Sequence, residues 1–334
     1  MFRIETRRRM RVIPLIVVAL LCACAPLRAP EGSARMTPVI GADVLTADDG
    51  TLLPLRIWAA EGQPGTAPRA VIVALHGMSD YSNALAMPAA VWAKAGITTI
   101  AYDQRGFGAG PNPGIWAGGA RMRADLRDAI AAAHARWPGV PVFALGESMG
   151  GAVLLTALAD GAPLPIAGAV LVAPAVWSRA DMPVFYRVAL FFAAHLTPGL
   201  VLSNSAARHV VTIMPSDNIE MLRALGRDPL FQKKTRADML YGLVNLMDAA
   251  RAAPAHLTRP GPPILLLYGA HDQVIPAKPT KAVIAALDGS ATVHRYETGY
   301  HMLLRDLGRA LPEKNTADWV LAHAAQPAGN KSSP

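Results

Sequence analysis

Cysteine is almost missing from this chain. Its 334 residues hold two, Cys22 and Cys24. Two thiols one residue apart build no disulfide framework, and no C-x-x-C pair offers itself to zinc. Charge is sparse at 17% and aromatic residues at 6%, against 52% hydrophobic residues. That balance excludes wholesale disorder. No internal repeat stands out, which excludes a solenoid or propeller. The apolar run Val12–Ala23 is too short for a comfortable membrane span. What remains is a chain long enough for a large buried core.

The formal charge is +8, which on its own points towards nucleic acid. Its distribution points elsewhere. Arg3, Arg7, Arg8, Arg9 and Arg11 precede the apolar run, opposed only by Glu5. A basic start and a short apolar stretch have the shape of an export signal. Removing residues 1–23 leaves 27 basic and 23 acidic residues, a net +4. No basic stripe with interleaved aromatics is left, so no nucleic-acid partner is expected. The end of the signal, Leu21-Cys22-Ala23-Cys24, resembles the bacterial lipobox. The resemblance implies cleavage before Cys24, lipid attachment there and a membrane partner. Several acyl chains on one residue make a stable anchor. Ala25 rather than Asp after Cys24 points, by the same resemblance, to an outer-membrane-anchored lipoprotein of the cell envelope.

Residues 24–38 hold Pro26, Pro30, Gly32, Ser33 and Pro38 and read as a tether. Beyond it, Val71–Leu75, Ile97–Tyr102, Val140–Leu145, Ile166–Val172 and Ile264–Leu267 are short apolar runs bounded by Gly or Pro. Such runs suit parallel strands buried on both faces. Helix-like stretches lie between them at 83–94, 120–136 and 149–159. Alternating strand and helix means an α/β fold with a mostly parallel sheet. Arg121, Asp125 and Asp128 recur at spacings of four and three, which predicts a shared solvent face on the second helix. The alternation stops at residues 176–260, read as a helical insertion without strands. The expected core is therefore split into 39–175 and 261–325, with 326–334 a tail. The insertion holds ten basic and six acidic residues.

Gly146-Glu147-Ser148-Met149-Gly150 follows one predicted strand and opens a helix. G-x-S-x-G in that setting is a nucleophile elbow: the serine sits on a turn so tight that only glycine fits two places either side. A serine needs a base, and the base needs an orienting acid, in the chain order Ser, acid, His on this kind of scaffold. Leu265–Asp272 is an apolar strand running into a loop with Asp272. Ala291–Tyr296 runs into Glu297-Thr298-Gly299-Tyr300-His301, with a helix expected at 302–311. Asp272 and His301 thus leave strand ends on the edge that carries Ser148. His134, His195, His209, His256, His294 and His323 fall on presumed helices, within a strand or in the insertion, and His271 adjoins Asp272, so that one of the two must point elsewhere; all are weaker candidates. Two backbone amides must face the developing oxyanion. Met149 supplies one, and Met78 in the loop His76-Gly77-Met78-Ser79 supplies the other.

Together these segments resemble the α/β-hydrolase superfamily, and within it the serine hydrolases that include monoacylglycerol lipases and lysophospholipases. The resemblance spans about residues 42–325. It rests on His76-Gly77, Asp103-Gln104-Arg105-Gly106-Phe107-Gly108, Gly146–Gly151, Leu266–Asp272, Gly299-Tyr300-His301 and Asp228-Pro229-Leu230. It implies that residues 176–260 cap the site. Two departures stand out. Where monoacylglycerol lipases carry H-G-x-G-E-H, this chain has His76-Gly77-Met78-Ser79-Asp80-Tyr81, and Gly110 replaces the family's serine after R-G-x-G-x.

The expected activity is carboxylic ester hydrolysis through an acyl-enzyme on Ser148, with His301 as base, Asp272 as its partner, and no metal or organic cofactor. A lipid-like ester is the expected substrate: Val188, Leu190, Phe191, Phe192, Leu196, Leu200, Val201 and Leu202 offer an apolar surface, or else form the cap's own core. The same triad also serves a proline iminopeptidase-like peptidase or an acyltransferase. A lipoprotein that only binds acyl ligands is the alternative without chemistry.

Overall fold

The computed structural model describes residues 25–63, 65–203 and 213–325. The signal-like segment and Cys24 lie outside them, as does His209. Among the described residues, no helix is long and apolar enough to cross a membrane.

The unbroken apolar runs become the inner strands of a nine-stranded sheet. Among the described residues there are eleven strands: β1 (Val39–Ile40), β2 (Val44–Thr46), β3 (Leu52–Trp58), β4 (Ala70–Leu75), β5 (Ile97–Tyr102), β6 (Val142–Glu147), β7 (Gly168–Val172), β8 (Val201–Ser203), β9 (Lys234–Arg236), β10 (Ile264–Gly269) and β11 (Ala291–Tyr296). The large sheet runs β1-β2-β3-β5-β4-β6-β7-β10-β11. From β5 to β11 every pair is parallel, while β1, β2 and β3 close one side antiparallel. Strands β4, β5, β6, β7 and β10 are buried throughout, which explains why they read as continuous rather than alternating. Side chains still alternate between faces: Val71, Val73 and Leu75 join one core, Ile72 and Ala74 the other.

Helices α1 (Ala86–Lys94), α2 (Gly119–Arg136), α3 (Met149–Ala159), α4 (Val184–Leu196), α5 (Ile219–Arg227), α6 (Ala237–Ala252), α7 (Ala277–Leu287) and α8 (Ala310–Ala324) complete the regular elements described. Residues of α2, α3, α6 and α7 join the first core and those of α1 and α8 the second, so the sheet is covered on both faces. From β4 the chain steps to β5 on one side. It then returns to β6 on the other side and continues outwards to β11. The crevice of such a sheet opens where the order reverses, beyond the carboxyl ends of the strands. Here that point is the β4/β6 junction, from which the His76 loop and the elbow depart.

Several expectations are corrected. Arg121, Asp125 and Asp128 do not face solvent; their relative exposures are 6%, 1% and 7%. Arg121 binds Asp48, Asp125 and Asp128, and Asp125 also binds Arg105, which holds Asp49, in an ion cluster beneath α2. The insertion is not wholly helical, because β8 and β9 pair antiparallel within it. The helix expected over residues 302–311 is a run of turns, and α8 begins only at Ala310. The described part of the expected tether lies against the body. The Ala29 amide donates to Trp116 O at 2.9 Å, those of Arg35 and Met36 donate to Asp48 O, and that of Leu27 donates to Asp238 Oδ2 at 3.3 Å. Strands β1–β3 lack a long apolar run and escape the sequence pattern. Smaller shifts occur in β6 and β7, which start two residues later than read.

One buried carboxylate on α8 leads to a test. Glu313 is 3% exposed, and its nearest cation is Arg309 Nε at 3.7 Å. Burial, only partly offset by Arg309, pushes its carboxyl up to about 7. A raised carboxyl costs nothing at low pH, where it is protonated in both states. The penalty grows above the unfolded value and is complete above the folded one. Glu313→Gln should therefore stabilise the protein by about 1–3 kcal/mol at pH 8 and by little at pH 5. Urea unfolding at the two pH values measures the difference.

Candidate active site

Ser148 stands between β6 and α3 with φ 52° and ψ −113°. Such a backbone is strained for a residue with a side chain. The flanking glycines make the turn possible. A Cβ on Gly146 would lie 2.3 Å from Gly150 O, and one on Gly150 would lie 2.4 Å from Leu75 O. The first contact closes the elbow on itself; the second seats it against the end of β4. The Ser148 amide donates to Val172 O at 2.9 Å, and Ser148 O accepts from Ala175 N at 2.9 Å. Both neighbours of β6 thus hold the bend, which projects Ser148 Oγ from the carboxyl edge of the sheet.

His301 and Asp272 come from the loops after β11 and β10. These loops touch through backbone: a Cβ on Gly269 would lie 2.4 Å from Tyr300 O. His271 N donates to Gly299 O at 2.9 Å, which adds a second tie. The structure brings the three predicted residues together. His301 Nε2 is 3.0 Å from Ser148 Oγ, and His301 Nδ1 is 2.8 Å from Asp272 Oδ2. The other carboxylate oxygen, Oδ1, accepts from the amides of Val274 and Ile275 at 2.8 and 2.9 Å. Asp272 is thereby fixed by three hydrogen bonds, and its side chain is fully buried. His301 is also buried, at 6%, whereas Ser148 is half-buried. A hydroxyl reachable from solvent, a hidden base and an anchored acid make a relay suited to nucleophilic attack on a carbonyl.

Met149 is the first residue of α3, so its amide is one of the helix's free N-terminal donors. Met78 follows Gly77, where a Cβ would sit 3.2 Å from Ser148 Cβ. Neither amide donates to a protein acceptor among the described residues. His76 does not face the serine. Its ring is buried, with Nδ1 donating to Gly77 O at 2.8 Å and Nε2 accepting from Gln104 N at 3.0 Å. Burial lowers its proton affinity, consistent with a neutral ring that shapes the loop. Ser79, the departure from glycine, has φ 71°. Its strain is held by Gln232, whose amide donates to Ser79 O at 2.8 Å. Tyr81 Oη donates to Asp228 Oδ2 at 2.7 Å. Burial and that carboxylate push the phenol up to about 12. Asp228 belongs to the Asp228-Pro229-Leu230 segment, which thus ties the insertion to the loop of Met78. Asp103 accepts from the amides of Ser82 and Ala109 at 2.9 Å each and holds the loops around it.

The weaker histidine candidates lie elsewhere. His271 is exposed and turned edge-on to Tyr300, His195 stacks on Phe191, and His294 bonds Asn315. His134 and His323 reach main-chain carbonyls. Sequence reasoning missed the charged ring behind the site. Arg305 Nη1 contacts Asp80 Oδ2 at 2.7 Å, and Nη2 lies 3.4 Å from Glu147 Oε2. Asp306 accepts from Ser216 Oγ at 2.6 Å and from Tyr300 N at 2.7 Å, and burial raises its carboxyl to about 6. Asp80 and Glu147 lay within the motifs already singled out, and their position was the available signal. No cluster of His, Cys, Asp and Glu suited to a metal ion occurs among the described residues.

The chain is 28% identical over 288 residues to a monoacylglycerol lipase of Mycolicibacterium smegmatis, covering 82% of this chain and 94% of that protein. It is 27% identical over 283 residues to the human monoglyceride lipase, covering 83% and 90%. Among solved structures it resembles the monoacylglycerol lipase of Paleococcus ferrophilus, with a TM-score of 0.67, 20% identity and 81% and 99% of the two chains covered. A lipase in its open form matches with a TM-score of 0.71, 18% identity and 86% and 99% coverage. These structures share the α/β-hydrolase fold. The family model described as serine aminopeptidase, S33, matches residues 66–308, and the chain belongs to that family of α/β-hydrolases.

Proposed function

We propose that this protein is a lipid-directed carboxylic ester hydrolase that works through an acyl-enzyme on Ser148. The observation that carries the reading is the continuous relay from Ser148 Oγ through His301 to Asp272, on an elbow closed by Gly146 and Gly150. His301 takes the serine proton as Oγ attacks the acyl carbonyl. Asp272 stabilises the imidazolium, while the Met78 and Met149 amides receive the oxyanion. His301 returns the proton to the leaving alcohol, then activates water to release the acid.

A single-chain lipid ester, a monoglyceride or lysophospholipid, is the substrate the surface favours. Of the apolar residues named in the insertion, Val188, Phe191, Phe192, Leu196, Leu200, Val201 and Leu202 are exposed, while Leu190 packs against the core. On α4, Phe185 is 76% exposed and Leu196 64%. A patch of this kind suits acyl chains or a membrane surface. The similar proteins named as monoacylglycerol and monoglyceride lipases support the same class. The family description raises an aminopeptidase as the rival. That chemistry needs a free carboxylate for the substrate's amine. The carboxylates of the adjoining loops are engaged: Asp80 and Glu147 by Arg305, and Asp228 by Tyr81. This disfavours the peptidase.

Lipidation at Cys24 and anchoring in the cell envelope belong to the same reading. Pro26 and Leu27 line a small cavity with His195 and Tyr241, and His195 stacks on Phe191 of α4. The described chain just after Cys24 therefore runs beside the exposed apolar helix, which supports a shared membrane-facing side.

The test is a panel of p-nitrophenyl esters from C2 to C16 with monoacylglycerols, lysophospholipids and aminoacyl amides. Medium- or long-chain esters should exceed acetate in kcat/KM by ~10-fold or more, since each buried methylene contributes about 0.8 kcal/mol. Turnover confined to acetate or to aminoacyl amides would overturn the reading.

A further inference from the structure

We propose that Arg305 is a positioning residue that sets the oxyanion hole from behind, without touching substrate. The inference rests on the hydrolase reading above. Four loops build the site, and Arg305, itself in the His301 loop, joins that loop to two of the others, the Met78 loop and the Ser148 elbow. It lies four residues after His301. One arm of its guanidinium meets Asp80 in the Met78 loop at 2.7 Å, and the other reaches Glu147, immediately before Ser148, at 3.4 Å. All three side chains are buried, with relative exposures of 4%, 1% and 2%. The Arg305 carbonyl accepts from Asn218 Nδ2 at 2.9 Å, so the insertion is drawn in as well.

The geometry gives Arg305 leverage on the Met78 amide. The Asp80 amide donates to Gly77 O at 3.3 Å, which closes a turn over Met78 and Ser79. Asp80 Oδ1 accepts from Tyr81 N at 3.0 Å, so only Oδ2 is left for a partner outside the loop, and Arg305 takes it. At its other end the turn abuts Ser148 through Gly77. Ser79 holds a strained backbone inside it. A turn under strain keeps its shape only while its surroundings enforce it. Releasing Asp80 would let the turn relax and move the Met78 amide relative to Ser148 Oγ. Glu147 fixes the same guanidinium to the elbow, so the distance between the two oxyanion donors, Met78 and Met149, is set through one rigid fork. Lysine would supply the charge but not the two-pronged geometry.

Kinetics of Arg305→Met, Arg305→Lys, Asp80→Asn and Asp80→Asn/Arg305→Met test this, with p-nitrophenyl butyrate as substrate. Active sites are counted with a fluorophosphonate, so kcat is expressed per competent serine. For Arg305→Met and Asp80→Asn, kcat per site should fall ~10–100-fold with KM within ~3-fold, the signature of a misplaced transition-state contact. The double variant should lose no more than the worse single one, because both act through one contact. Arg305→Lys should recover part of the loss. Unchanged kcat per site with only a lower melting temperature, or losses that multiply in the double variant, would overturn the inference. Should Arg305→Met not fold, Arg305→Lys and Asp80→Asn decide it. A wild-type protein whose serine fails to label sinks the hydrolase reading and this inference together; a labelled wild type with unaffected variants sinks the inference alone.

Discussion

Replacing Ser148 by alanine should lower ester hydrolysis by a factor of ~10⁴–10⁶ and leave the fold intact. The size of the effect follows from the chemistry. Without the hydroxyl there is no acyl-enzyme, and only binding and oxyanion stabilisation remain to assist water. The fold should survive because Ser148 is half-buried and, among the described residues, its hydroxyl has one protein partner, His301 Nε2. The effects at Ser148 and His301 should not multiply: Ser148→Ala/His301→Ala should be no slower than Ser148→Ala, because the two act as one unit. Ser148→Gly separates activity from stability. At φ 52° a glycine carries no strain, so this variant should be inactive yet more stable by ~1 kcal/mol. Initial rates together with urea unfolding give both quantities. Alanine at 148 retaining a tenth of the activity would mean that another group attacks the ester.

The parts legible in the sequence share one property: a local pattern with one physical cause. A strand buried on both faces must be continuously apolar, so β4, β5 and β10 announced themselves. An elbow that brings Cβ positions within 2.3–2.4 Å of backbone oxygens must have glycine there, so Gly146 and Gly150 marked Ser148. His301 and Asp272 followed because both sit just past such strands. The illegible parts depend on partners far along the chain. Spacing places Arg121, Asp125 and Asp128 on one face of α2 but cannot say which way that face points. What turns it inwards is Arg105, Asp48 and Asp49, on the loop after β5 and the turn before β3. A helix is expected over residues 302–311; Leu303 and Leu304 are indeed buried, yet their neighbours are spent on tertiary bonds. Met302 N donates to Pro215 O, Leu307 N to Asp217 Oδ1, and the Asp306 side chain bonds Tyr300 and Ser216. Conversely, Arg305 was invisible because a single arginine carries no pattern.

The second large effect is expected at Arg105, and it concerns stability rather than chemistry. Its guanidinium is 4% exposed and holds Asp49 in a fork, Nη1 to Oδ2 at 2.8 Å and Nη2 to Oδ1 at 3.0 Å. It also meets Asp125 through Nε at 2.9 Å and Nη2 at 2.9 Å. Arg105→Met keeps much of the volume and removes the charge. Two buried carboxylates then lose their shared cation, and Arg121 compensates only Asp125, Asp48 and Asp128. A buried pair broken on one side costs about 3–5 kcal/mol. The pH dependence identifies the cause. Burial alone would raise the Asp49 carboxyl, but hydrogen bonds from Arg105 and Thr51 override it and hold the group well below the ordinary carboxylate range. A depressed carboxyl contributes stability above its unfolded value, and that contribution is lost on acidification. In Arg105→Met the Asp49 carboxyl rises and the contribution disappears. The difference between wild type and variant should therefore be largest near pH 8 and shrink below about pH 4. Paired urea titrations at the two pH values measure it. A difference independent of pH would assign the loss to packing around the arginine stem instead of to the stranded carboxylates.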